Sequence, residues 1–172
     1  GPVRERAPFV AYAYTVHPDE GRSTDEIAAT MADIAARSVA KSGASMFEFK
    51  VGLHPVPSEI TIVEAVREAV GPEVDLAVDA NMGFEIEAAR RFLDGVGEAR
   101  LANIEEPVAS LAGCERLRGE FGVPVSTHCF DLDAVAAYPL IDSVVSDIHL
   151  HGGIEGVIEV MIRAAALSRR FW

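Results

Sequence analysis

The sequence predicts an α/β protein of the (β/α)8 TIM-type barrel class, with about six βα units present in its 172 residues. Three observations lead there. Short apolar runs alternate with helix-period segments at a spacing of roughly twenty to thirty residues, the pattern of a parallel sheet. Chemistry-bearing residues stand at the exits of consecutive strands, which suits the C-terminal rim of a barrel; in a doubly wound sheet only the strands beside the switch point feed the site. No Gly-rich fingerprint follows the first strand, so nothing argues for a dinucleotide. A complete barrel has eight strands and typically about 250 residues. Residues 1–172 are therefore expected to form one partial barrel domain, from strand one to the start of strand seven.

Residues 9–16 alternate Phe9, Ala11 and Ala13 with Val10, Tyr12 and Tyr14, and read as the first strand. Ser23 then caps a helix, with Glu26 as its capping-box partner. Ile27, Met31, Ile34, Ala35 and Val39 form its apolar stripe and Gly43 ends it. Residues 45–51 form the second strand, with Phe47, Phe49 and Val51 on one face and Met46, Glu48 and Lys50 on the other; Gly52 allows a tight exit. Ile60, Val63, Val66 and Val70 mark the next helix, stopped by Gly71-Pro72. In the third strand Val74, Leu76 and Val78 share one face and Asp75, Ala77 and Asp79 the other. Asn81-Met82-Gly83-Phe84 leads from it into a helix through Ile86, Ala89, Phe92 and Leu93.

Ile104-Glu105-Glu106-Pro107 repeats that design, an apolar run ending abruptly in acid, with either Glu105 or Glu106 at the strand's exit. Ser110 caps a helix carrying Leu111, Cys114, Leu117 and Phe121, closed by Gly122. Residues 123–127 lead as a strand into His128, and Asp131 caps a brief helix to Tyr138. Residues 143–147 make the sixth strand, His149 and His151 follow it, and Gly152-Gly153 opens a helix over 154–167. Arg170-Phe171-Trp172 begins one more strand.

Composition narrows the function. At 49% hydrophobic and 24% charged, the chain is globular rather than disordered. Its net charge of −12 argues against a nucleic-acid partner, which needs a basic face. It also leaves the attraction of an anionic substrate to local groups: a lysine, an arginine or a metal. Cys114 and Cys129 are too few for a disulfide framework. No run approaches a membrane span, and residues 1–6 are not a signal peptide. No initiator Met is present, so the chain is expected to start at a cleavage scar or inside a longer polypeptide, without a membrane partner and in the cytoplasm.

Carboxylates at the exits of successive buried strands suit a hard cation such as Mg²⁺, which takes oxygen ligands in an octahedron. Asp79 and Glu105 stand at matching exits, with Lys50 at the exit before them. Lys50, Asp79 with Asn81, Glu105-Glu106-Pro107 and Asp147 occur in that order on consecutive strands. Together they resemble the barrel of the enolase superfamily, in its mandelate racemase and glucarate dehydratase branches, from about residue 9 to residue 167. The resemblance implies Lys50 as the base that takes the proton α to a substrate carboxylate, and Asp79, Glu105 and His128 as ligands to Mg²⁺. It makes Asp147 the orienting carboxylate of an Asp–His dyad, and places Glu48, Asn81, Glu106 and His149 around the substrate or behind these groups. Asp147-Ile148-His149 before Gly152-Gly153, and Thr127 before the fifth-strand ligand, are more similar to glucarate dehydratases than to racemases. The implied reaction is dehydration of an acid sugar, and the family's habit implies a homo-oligomer.

Three departures stand out. The family's usual Lys-x-Lys is here Glu48-Phe49-Lys50, so an assisting cation has become an anion, and Glu48 is expected to hold Lys50 protonated. The third metal position is His128, and imidazole suits Zn²⁺, Mn²⁺ or Fe²⁺ better than Mg²⁺. The strand-seven histidine and the α+β capping domain that usually selects substrate are not in the sequence. Two further readings follow. Asp147, His149 and His151 alternate, and a His-x-His pair on one strand face is similar to metal-dependent amidohydrolases. A non-catalytic relative would keep the barrel and lose turnover, with Lys50 paired to Glu48.

Overall fold

A computed structural model describes residues 10–128 and 131–171. Phe9, Cys129 and Trp172, to which the sequence reading assigns places, and residues 1–6 lie outside the described residues. Among the described residues seven strands form one sheet in sequence order, every neighbouring pair parallel: β1 Val10–Ala13, β2 Met46–Lys50, β3 Asp75–Asp79, β4 Asn103–Glu105, β5 Val125–His128, β6 Ser143–Val145 and β7 Arg170–Phe171. Helices α1 Thr24–Ser42, α2 Val56–Val70, α3 Ile86–Gly95, α4 Leu111–Phe121, α5 Leu132–Ala136 and α6 Ile154–Ala166 make the crossovers. Val10 of β1 and Val145 of β6 line the same cavity of about 190 Å³, together with Glu48, Ala77, Asn103 and Glu105. The sheet is therefore curled into a half-barrel, with these residues on its concave face. No helix among the described residues is long and apolar enough to cross a membrane.

Alternation decides which side chains face which layer. Phe47, Phe49, Leu76, Val78, Ile104, Val125 and Val144 are buried in the core between sheet and helices. Met31 and Ala35 of α1, Ile62, Val63 and Val66 of α2, Phe92 of α3 and Leu117 of α4 meet them there. The helix signals behave as expected: Ser23 and Glu26 form a capping box, Gly43 ends α1 at φ 65°, and Ser110 and Asp131 cap α4 and α5 with side-chain oxygens. The periodicity of α2 omits Glu59, which is wholly buried and whose Oε1 accepts from the amides of Leu53 and His54, each at 2.8 Å. Burial pushes the Glu59 carboxyl upward against the pull of those amides.

Strand boundaries differ where the chain turns out of the sheet. β1 ends at Ala13, leaving Tyr14 exposed. β5 begins at Val125 and takes in His128. β6 stops at Val145, two residues before the expected end, because a 3-10 turn, Ile148–His151, starts directly after Asp147. Its i→i+3 bonds pull the chain out of the extended conformation.

The exits of β2 and β3 meet backbone against backbone. A Cβ at Gly83 would lie 2.8 Å from the Ala80 carbonyl oxygen and 2.9 Å from that of Gly52, and Gly52 itself has φ 83°. Only glycine fits such an approach. Gly83→Ala is expected to destabilise the chain by about 1–3 kcal/mol, the usual cost of overpacking. A lowered urea midpoint at unchanged slope would register it, and Gly97→Ala, which meets nothing within 4 Å, should be close to neutral.

Candidate functional site

Lys50, Asp79 and Glu105 are the last residues of β2, β3 and β4 and are direct register partners, Lys50 opposite Asp79 and Asp79 opposite Glu105. Register partners in a parallel pair point the same way, so all three stand on the concave face. The loops behind them are fastened to the sheet. Thr15 Oγ1 donates to the Lys50 carbonyl, and the Val51 amide donates to the Asp79 carbonyl at 2.9 Å. The Ala80 amide reaches the Glu105 carbonyl at 3.0 Å and the Met82 amide that of Glu106 at 2.7 Å. Asn81, Met82 and Glu106, at the exits of β3 and β4, hold positive φ values of 43°, 62° and 41°. Such residues cost about 1–3 kcal/mol each and persist where their surroundings over-determine them. For Asn81 the strain is eased by its amide, which donates to Asp79 Oδ1 at 2.9 Å.

One amine serves a crowd of carboxylates. Lys50 Nζ donates to Asp79 Oδ2 and Asn81 Oδ1, and lies 6.0 Å from the centre of the Tyr12 ring. Burial works against its charge, but the hydrogen bond and charge of Asp79 prevail and raise the Lys50 pKa. Burial, then the charge of Asp79, raises the Glu48 carboxyl, with Lys50 pulling the other way. Glu105 is pushed up to about 8, first by burial and then by Asp79, Glu48 and Glu106. Burial also lifts the Tyr12 phenol to about 12, against the pull of Lys50.

A second knot lies at the exits of β4, β5 and β6. Glu106 follows Glu105 and is buried; its Oε1 accepts from the His128 amide at 3.1 Å and the Thr127 hydroxyl at 3.4 Å. The His128 ring stands between two carboxylates, with Nδ1 3.2 Å from Glu105 Oε1 and Nε2 3.3 Å from Asp147 Oδ2. Glu105, Glu106 and His128 each offer a ligand atom within 4.8 Å of the others, a spacing that suits one metal ion. Two carboxylates and an imidazole are a donor set that fits a divalent cation.

The structure thus brings together Lys50, Asp79, Asn81, Glu105, Glu106, His128 and Asp147, with Glu48 on the same face. Other sequence expectations it redistributes. Lys50 is paired with Asp79 and Asn81; among the described residues no hydrogen bond or ion pair joins it to Glu48, the pairing expected of a non-catalytic relative. Asp147, expected on a strand, is the residue before the 3-10 turn. His149 and His151 lie inside that turn, where residues two apart point about 120° away from each other instead of sharing a face. His149 is exposed, and neither histidine joins the ligand group. Glu106, to which the resemblance gives a supporting place, has a carboxylate oxygen within 4.8 Å of the donor atoms of Glu105 and His128. Tyr12 beside Lys50 has no place in the sequence expectation; its alternation with Ala11 and Ala13, which sets it on the face of Val10, is the signal that could have found it.

The family described as enolase C-terminal domain-like matches residues 30–172. Over 127 residues the chain is 28% identical to an o-succinylbenzoate synthase from Thermobifida fusca, covering 73% of this chain and 36% of that protein. Over 137 residues it is 30% identical to an L-talarate/galactarate dehydratase from Salmonella typhimurium, covering 76% of this chain and 34% of that protein. A crystal structure of an enolase from Pseudomonas fluorescens, with bound magnesium, potassium and tartrate, superposes with a TM-score of 0.79 at 23% identity, covering 99% of this chain and 43% of that one. The chain spans about a third of the length of these two sequence relatives. A sheet of parallel strands with Lys50, Asp79 and Glu105 in register at its rim, joined to that match over residues 30–172, places the chain in the enolase C-terminal domain-like family.

Proposed function

We propose that the chain carries the proton-abstracting and cation-binding rim of an acid-sugar dehydratase. The observation that supports this best is the continuous register Lys50–Asp79–Glu105, beside a ligand group of Glu105, Glu106 and His128. Two dehydratases among the relatives, from Salmonella typhimurium at 30% identity and from Saccharolobus solfataricus at 26%, support this branch. Glu105, Glu106 and His128 would hold a divalent cation, Mg²⁺ in the family's usual form, with Asp79 on the adjoining strand as a further oxygen donor. When bound, that cation supplies positive charge for the substrate carboxylate and for the enediolate that forms from it.

The remaining work belongs to the side chains. Lys50 Nζ takes the proton from the carbon α to the substrate carboxylate; the C–H electron pair moves into the carboxylate to give the enediolate. The pair then returns to form a carbon–carbon double bond as the β-hydroxyl leaves with a proton as water. As a base, Lys50 must give up the proton that Asp79 stabilises on it, so neutralising Asp79 lowers the barrier to its use. Asn81 Oδ1 accepts from the same amine and helps hold it beside Asp79.

Two measurements test this reading. Acid sugars incubated with the chain, Mg²⁺ or Mn²⁺ and deuterated solvent should exchange their α-proton. Lys50→Ala should cut that exchange by about 10²–10⁴-fold with an unchanged circular dichroism spectrum, and retained dehydration in this variant would remove Lys50 as the base. The second concerns pH in metal-free protein. The folded-state pKa of Glu105 lies above its unfolded value, so its contribution to stability is complete below about 4.5 and is lost as pH rises through about 8. Melting temperature should accordingly fall over that interval, and Glu105→Gln should flatten the fall.

A further inference from the structure

We propose that His128 is the ligand that decides which cation this rim accepts, and that Asp147 orients it: through His128 Nδ1 the site selects a first-row transition dication such as Mn²⁺, Fe²⁺ or Zn²⁺ over Mg²⁺. The inference rests on the cation-binding reading of the rim and narrows it to a class of ion. The first support is the position of the ring. His128 ends β5, its backbone amide is held by Glu106 Oε1 at 3.1 Å, and its Nδ1 lies 3.2 Å from Glu105 Oε1. Both other members of the ligand group therefore touch this one residue, at its amide and at its ring.

The second support is what stands behind the ring. Asp147 Oδ2 lies 3.3 Å from Nε2 on the far edge of the imidazole. A histidine that ligates a metal through one nitrogen commonly gives the N–H of the other to a carboxylate, which fixes the tautomer and raises the basicity of the ligating nitrogen. With Nε2–H donated to Asp147, the Nδ1 lone pair faces the ligand group. The resemblance would have Asp147 orient a histidine on strand seven; in this structure it orients the histidine on β5. Asp147 is thus a positioning residue for a ligand.

The third support is chemical. Mg²⁺ dehydrates reluctantly and takes oxygen donors, whereas imidazole raises affinity for later first-row ions. A rim that replaces one oxygen donor with His128 gives up affinity for Mg²⁺ and gains it for those ions.

The test uses the whole 172-residue chain, stripped of metal and titrated calorimetrically with MgCl₂ and with MnCl₂. Mn²⁺ should bind at least about tenfold more tightly than Mg²⁺, and electron spin-echo modulation of the Mn²⁺-loaded chain should show ¹⁴N coupling from a coordinated imidazole. His128→Asn should abolish the coupling and bring the two affinities together. Asp147→Asn should weaken Mn²⁺ by about 10–100-fold while moving Mg²⁺ little. Absence of ¹⁴N coupling in the unaltered chain would overturn the proposal without recourse to any variant, as would an unchanged Mn²⁺/Mg²⁺ ratio in a folded His128→Asn protein. Two oxygen-only ions bound equally well would sink this inference alone; a chain that binds neither ion would sink the cation-assisted reaction with it.

Discussion

Parallel strands lie about 4.8 Å apart, and the rest of the site follows from that spacing. Register sets Lys50, Asp79 and Glu105 side by side at the ends of three neighbouring strands, all facing inward. Two carboxylates so placed repel each other, and Glu48 and Glu106 add to the repulsion felt by Glu105. A single ammonium offsets part of it. The strand ends are consequently an assembly that favours positive charge, whether from Lys50 or from a bound cation, and this electrostatic demand comes from the sheet geometry itself.

The loops at these exits are built to bear the demand. Asn81 turns back to Asp79, Glu106 reaches the amide of His128, and Glu59 gathers the amides of Leu53 and His54 beneath the β2 exit. Each carboxylate thereby has a second function as a fastening for backbone. The opposite end of the sheet is tied differently. Arg67 donates to the carbonyls of Gly71, Val74 and Ala99, and Arg118 pairs with Asp142, whose carboxylate also takes the Val125 amide. Cations fasten the lower rim and anions crowd the upper one, which matches the division between stability and chemistry seen at the two faces of barrel folds.

Much of this was legible from residue pattern. Period-two alternation assigned Phe47 and Phe49 to one face and Glu48 and Lys50 to the other, because every second residue of a strand must share a side. Capping chemistry at Ser23 and Ser110 and the glycines at 43 and 122 marked helix ends through local hydrogen bonds. What escaped was decided between distant segments. The pairing of Lys50 with Asp79 instead of Glu48 depends on register between strands, which no local window contains. The turn at 148–151 breaks the alternation that aligns Asp147, His149 and His151 in the sequence. The apolar period of its helix leaves Glu59 out, and its burial arises from the 53–54 loop folding over it.

The Gly52–Gly83 contact has a consequence for how this scaffold can diversify. With the two segments pressed together main chain to main chain, neither can lengthen or change course alone, so the amine and its acidic neighbour are inherited as one rigid module. Variation on this framework should therefore leave Lys50 and Asp79 in their present relation, whatever changes elsewhere along the rim.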